Sequence, residues 1–152
     1  SSLYESFGSK QGLFDQALSN YCRTNREGVK ALLSNEKSVK SGIRNLLESS
    51  IHCTISDADK KGCFVVNSTT ELVPGDDEML KALSKNRASF EKVFFEFLQK
   101  GQATGEIPPN KDIKTLSGLI YTVFSGLNVI AKLEKSPKKL MAQIDQIVGL
   151  LD

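Results

Sequence analysis

The stretch Ser2 to Phe14, SLYESFGSKQGLF, constrains the fold most. Leu3 and Phe7 are four apart and share one face of a helix. Gly8 follows the last apolar position, where a helix end favours a residue that tolerates the left-handed conformation. Ser9 then offers its side chain as a cap to a new helix. Two helices therefore meet at a tight corner. Lys10 is discordant there, because a cation in the first turn opposes the macrodipole. A helix N-terminus with a lysine beside it is a good seat for an anion, phosphate in particular. The Tyr4 hydroxyl, on the adjoining helix, is placed to donate to the same phosphate backbone. The plainer reading of the same residues is an ordinary helical corner with a solvated lysine.

The rest of the chain reads as helices. Leu13, Phe14, Ala17, Leu18, Tyr21 and Cys22 recur at helical spacing, and Val29, Leu32 and Leu33 continue the pattern after a polar middle. This predicts one helix from about Ser9 to Leu33, about 37 Å long and able to link two modules. Ser38 caps the next helix, which ends near Ser56. Residues 63–73 are rich in β-branched side chains and favour a strand by propensity. A lone strand among helices leaves its ladder unpaired, so a short helix is expected instead. Pro74-Gly75 is a turn, and Asp76, Asp77 and Glu78 place negative charge where a helix start favours it. Met79 to Leu98 form a long stripe that ends at Gly101 to Gly105.

Asn110 or Asp112 starts a further helix that runs to about Leu133. Leu116, Ile120, Val123, Phe124 and Leu127 give it a bulky face, and smaller residues give it a second apolar face. Such a helix is buried on two sides. Residues 115–131 carry no charge, but Thr, Ser, Asn and two Gly make a poor membrane span. Ser136 caps the last helix with Pro137 at its first position. The short link predicts that the last two helices form an antiparallel pair. The fold class expected is all-α.

Length and composition allow one domain with a real core. A net charge of +2, spread along the chain, does not by itself announce a nucleic-acid binder. Three cysteines, Cys22, Cys53 and Cys63, with no signal peptide ahead of them predict a reduced, cytoplasmic compartment. His52 is the only histidine, and no nucleophile elbow, Walker or dinucleotide fingerprint is present. Glu71 and Glu91 are carboxylates that nothing brings together, so no enzyme is expected. His52, Cys53, Asp57, Asp59 and Cys63 match no structural zinc spacing, so neither metal nor cofactor is expected.

The remaining candidates concern binding. Arg87 lies between Leu83 and Phe90, where a buried guanidinium needs a partner. It either reaches the surface, pairs with a carboxylate such as Glu71, or meets a polar ligand. Asn67, Tyr121, Phe124 and Asn128, with Phe90 and Phe94, give the aromatic-plus-polar mixture of a small-molecule pocket. Gly118, Thr122, Ser125, Gly126 and Val129 form the small face of the penultimate helix. That face suits either close packing in one subunit or a helix from a second copy. Leu140, Ile144, Ile147, Val148 and Leu151 of the last helix complete the expected dimer interface, a four-helix bundle about a two-fold axis.

Leu3-Tyr4-x-x-Phe7-Gly8-Ser9-Lys10-x-x-Leu13-Phe14 resembles the junction in TetR/AcrR-family transcription regulators between recognition helix and connecting helix. Gly62-Cys63-x-x-x-Asn67-x-x-x-Glu71-Leu72 resembles a segment of one branch of that family, and the helix order matches throughout. The resemblance implies a one-component regulator, usually a repressor. Residues 1–8 would end the recognition helix of a helix-turn-helix, and residues 9–152 would form the connecting helix with a ligand-binding and dimerisation domain. It implies a homodimer, a small-molecule effector and double-stranded DNA as partners, with Ser2, Tyr4 and Lys10 on the DNA. The remainder of the DNA-binding unit is expected upstream of Ser1. A helical small-molecule binding or dimerisation module that never touches DNA remains the alternative.

Overall fold

The computed structural model describes the backbone from Ser2 to Asp152 and the side chains from Glu5 onward. Seven helices follow one another: α1 (Ser2–Phe7), α2 (Lys10–Ser34), α3 (Val39–Ser56), α4 (Phe64–Leu72), α5 (Asp77–Thr104), α6 (Ile113–Ile130) and α7 (Lys138–Gly149). Single 3-10 turns at Val73–Gly75 and Ala131–Leu133 end α4 and α6. No strand occurs among the described residues, and the fold is all-α.

The helix starts follow from side-chain caps. Ser9, Ser38, Asp76 and Asp112 each accept a hydrogen bond from the backbone N–H three residues on. The β-branched segment 64–72 is helical, and its threonines adapt to that. The Thr69 hydroxyl donates to the Val65 carbonyl at 2.7 Å, and Thr70 donates to Asn67 at 3.0 Å. Back-bonding of this kind removes the polar cost of Thr inside a helix.

The core lies between α3 and α5. Ile43, Leu47 and Ile51 of α3 and Phe90, Phe94 and Leu98 of α5 are fully buried against one another. Each such side chain contributes about 1.5–3 kcal/mol by leaving water. α6 lies along α5 and α3, and α7 lies along α3 rather than pairing chiefly with α6. A smaller cluster of Leu18, Cys63, Val65, Met79 and Leu83 ties α2 to α4 and α5. Phe64 anchors it, with its ring edge-on to Phe14 at 5.3 Å and to Tyr21 at 5.7 Å.

The apolar stripe of α7 packs within the chain. Leu140, Ile144, Val148 and Leu151 are buried inside the single chain, and Ile147 packs on the same core. Within the single chain this stripe is closed largely on α3, with Ile147 half-exposed. The small face of α6 is different. The span Ile113–Leu133 is long and apolar enough to cross a membrane, yet 22% of its most apolar window is buried within the chain. Thr122 and Val129 are exposed, and Gly118, Ser125 and Gly126 are half-exposed.

Candidate ligand cavity

The corner between α1 and α2 depends on two glycines. Gly8 takes φ of +78°, the left-handed region. Gly12 sits where the end of α1 passes over α2. A Cβ built there lies 2.2 Å from the Phe7 carbonyl oxygen, so the backbones approach too closely for any side chain. Ser9 fixes the turn by accepting from Gly12 N at 3.0 Å. Gly12 was not singled out in the sequence, because nothing in local spacing distinguishes a close approach from an ordinary helical glycine. Lys10 opens α2, is exposed, and forms no ion pair with a described residue. The side chains of Ser2 and Tyr4 lie outside the described residues.

Two cavities flank α2. The one on the α3 and α6 side has a volume of about 510 Å³, within the range of small-molecule sites. Phe124 and Asn128 of α6 line it, as the sequence suggested. Much of its wall comes from α2, through Tyr21, Thr24, Asn25, Gly28, Val29 and Leu32. From α3 come Ser49, Ser50, Cys53 and Thr54. Ser50 and Thr54 are buried, and their hydroxyls have no protein partner among the described residues. Buried hydroxyls open to a cavity are ready to bond a ligand.

Tyr21 closes one end. Its hydroxyl donates to the Cys63 Sγ at 3.6 Å, and burial, together with that thiol, pushes its pKa far above the usual tyrosine value. It stays a neutral donor at any physiological pH. Burial likewise raises the Cys22 thiol, with Arg26 opposing, and Cys22 faces away from this cavity. The cavity is thus largely neutral, with Asp57 as its one carboxylate among the lining residues.

The other expected pocket residues take different places. Phe90 and Phe94 are core residues behind the wall, where they stack on Phe124 at centroid distances of 6.1 and 6.4 Å. Tyr121 packs on Phe90 at 5.7 Å and lines neither cavity. Burial raises its pKa, with the Ser125 hydroxyl opposing. Asn67 donates from Nδ2 to the Lys61 carbonyl at 2.9 Å and braces the loop before α4. Arg87 is exposed and pairs with Glu91, one turn along, at 2.6 Å, not with Glu71. The Glu91 hydrogen bond, followed by its charge, raises the Arg87 pKa. Arg87 and Asn67 therefore bind nothing in a cavity here. The helical wheel for α5 was out by one residue: Asn86, not Arg87, lies on the buried stripe.

Comparison with known proteins gives a consistent neighbourhood. Residues 40–147 match the family described as the Tetracyclin repressor-like, C-terminal domain. The transcriptional repressor ComR of Escherichia coli is 32% identical over 148 residues, which cover 97% of this chain and 69% of ComR. The HTH-type regulator YezE of Bacillus subtilis is 26% identical over 152 residues, covering 99% of this chain and 78% of YezE. Among solved structures, a cysteine mutant of the regulator CifR bound to a 26-base-pair operator duplex superposes with a TM-score of 0.86. It is 29% identical, and the match covers 99% of this chain and 79% of CifR.

Proposed function

The chain belongs to the TetR family of transcriptional regulators, and from that premise we propose how its parts divide the work. It acts as a one-component repressor in the cytoplasm. Operator DNA is held through a helix-turn-helix that ends in α1, and a small molecule in the cavity of about 510 Å³ controls that hold. Lys10, with Ser2 and Tyr4, grips phosphates. Such contacts set position and salt dependence and carry no base specificity. The operator complex of CifR and the repressor role of ComR support this reading.

One observation carries the control mechanism. The helix that supplies six residues of the cavity wall, from Tyr21 to Leu32, is the helix whose first turn holds α1. A ligand cannot fill the cavity without bearing on that helix. Coupling of this kind typically changes affinity 5–150-fold.

The working unit is a homodimer built on the outer face of α6. Val129, Ile130 and Leu150 are 43–45% exposed and Leu133 is 79% exposed, an apolar strip that a second copy would cover. Gly118, Thr122, Ser125 and Gly126 continue it and let two helices approach closely.

Gly28 provides the test of control. It lines the cavity, and a Cβ added there meets nothing within 4 Å. Gly28→Leu therefore brings a bulky side chain to the cavity wall with open space at its Cβ. Operator affinity is measured by fluorescence anisotropy with and without the neutral dye Nile red, in a protein carrying a complete helix-turn-helix ahead of α1. The dye is expected to shift wild-type affinity at least fivefold and to leave Gly28→Leu unaffected. Dye binding with no change in operator affinity overturns the coupling.

A further inference from the structure

The second cavity, on the α5 side of α2, has a volume of about 730 Å³ and no part in the reading above. Its floor is apolar: Leu18 of α2 and Met79 and Leu83 of α5 are all buried there. One polar residue interrupts that floor. Asn86 is 6% exposed, and it occupies the buried stripe of α5 between Leu83 and Phe90. A buried amide in an apolar position is costly unless it is bonded. Its Oδ1 accepts from the Arg26 guanidinium at 3.4 Å, a weak bond. Its Nδ2 has no acceptor among the described residues, and Asn86 lines the cavity.

The charges around the cavity are equal in number but separated along it. Asp76 is engaged as the cap of α5, accepting from Met79 N at 2.9 Å. Glu78 pairs with Lys81 at 2.8 Å. Asp15 accepts from Gln11 at 2.8 Å. Arg23 pairs with Glu27 at 3.4 Å. Arg26, half-buried, and Lys85 form no ion pair with any described residue. Asp15 and Asp76 also lack a cation partner, but they stand at the other end, eleven and ten residues before Arg26 and Asn86, about 15 Å away along the helices. At the Arg26 end the unpaired charge is positive and stands beside an apolar floor and an open amide donor.

We infer that this cavity is a second ligand site, which takes an amphipathic organic anion. The ligand's carboxylate or equivalent head accepts from Arg26 and from the Asn86 Nδ2, with Lys85 at the rim. Its apolar body lies on Leu18, Met79 and Leu83. A charged acceptor on guanidinium is the strong form of hydrogen bond, and the planar fork of arginine suits a carboxylate. The bond from Arg26 to the Asn86 Oδ1 keeps the guanidinium beside the amide, so one anionic head can reach both.

Calorimetric titration of the 152-residue chain with octanoate, and with octanamide as its neutral counterpart, tests the site. Octanoate is expected to bind at least tenfold more tightly than octanamide, and less tightly as salt rises. Arg26→Gln should lose at least tenfold of the octanoate affinity. Ala82→Phe, which puts a ring into the same cavity from an exposed position of α5, should abolish binding and serves if Arg26→Gln unfolds the chain. Gly28→Leu fills the other cavity and should leave octanoate binding unchanged. Equal affinity for octanoate and octanamide overturns the inference, as does unchanged binding in a folded Arg26→Gln chain. Loss of binding in Gly28→Leu but not in Ala82→Phe also overturns it, and places the anion in the first cavity instead. The Nile red experiment is independent of all these outcomes, so the two readings fail separately.

Discussion

Glu106 lies far in sequence from the helix it caps, and the effect of losing it can be worked out from its bonds. It follows α5 and reaches the start of α3. Its carboxylate accepts from Val39 N at 2.8 Å, from Lys40 N at 2.8 Å and from the Ser38 hydroxyl. Two N–H groups that a helix start leaves without partners are thereby satisfied by one residue. Glu106→Gln keeps one acceptor oxygen and turns an NH₂ group toward a backbone N–H. One charge-assisted bond is lost, and such bonds contribute about 1.5–3 kcal/mol. The site is partly open to solvent, so the low end applies, about 1.5–2 kcal/mol. For a domain of this size that is a fall in Tm of about 3–8 °C. Burial raises the Glu106 pKa, but the Ser38 hydroxyl and the two N–H groups outweigh it, and the net shift is downward. A carboxyl held below its unfolded value contributes stability above the ordinary glutamate range of about 4.3. That contribution disappears as pH falls through the lowered folded value. Urea melts of wild type and Glu106→Gln should therefore differ at neutral pH and converge in acid below the ordinary range. A gap that is the same in both conditions would show that the loss is one of shape, not of charge at the α3 N-terminus, and would refute the reasoning.

Two further outcomes follow from the geometry. Gly12→Ala should leave the stability of the ligand-binding body within about 1 kcal/mol of wild type, since the corner lies outside its core, yet lower operator affinity at least tenfold, because the Phe7 carbonyl must move; calorimetric melting and anisotropy separate the two. Iodoacetamide labelling at neutral pH should modify exposed Cys53 first and half-buried Cys22, with its raised pKa, later, as read by mass spectrometry of timed digests; faster labelling of Cys22 would contradict its burial.

The elements were legible in the sequence because each announces itself locally. Ser9, Ser38, Asp76 and Asp112 mark helix starts, Gly8 and Gly105 mark turns in the left-handed region, and the apolar stripes name the core. The cavity was only half legible, for a physical reason. A residue that faces empty space leaves a gap in an apolar stripe, so Asn25 and Gly28 fall in the polar middle of the α2 pattern when they are its cavity wall. Phe90 and Phe94 have the composition of pocket residues and are buried one layer too deep. Arg87 and Asn86 are neighbours about 100° apart on a helix, and a wheel drawn without tertiary contacts assigned the buried place to the wrong one. The α7 stripe is apolar as its spacing predicts, and within the chain α3 covers most of it. Its partner, and not its pattern, was what the sequence withheld.

α2 also explains why cavities on both of its sides matter to the same joint. Leu18 is buried in the cluster with Cys63, Val65, Met79 and Leu83, and it is the first residue of α2 held that firmly. On the proposed mechanism it would serve as a fulcrum. At 1.5 Å per residue, Gly28 lies about 15 Å to one side of it and Lys10 about 12 Å to the other. A rigid helix pushed outward at Gly28 by about 1 Å swings Lys10 the opposite way by about 0.8 Å on that ratio. Phosphate contacts are made or lost over such distances, because hydrogen bonds weaken steeply beyond their narrow range. A neutral ligand in the first cavity would act on the long arm. An anion at Arg26 bears on the same arm from the face that looks toward α5. Each occupant would act on the operator contact through the same helix, and operator binding would in turn alter the affinity for that occupant by the same factor.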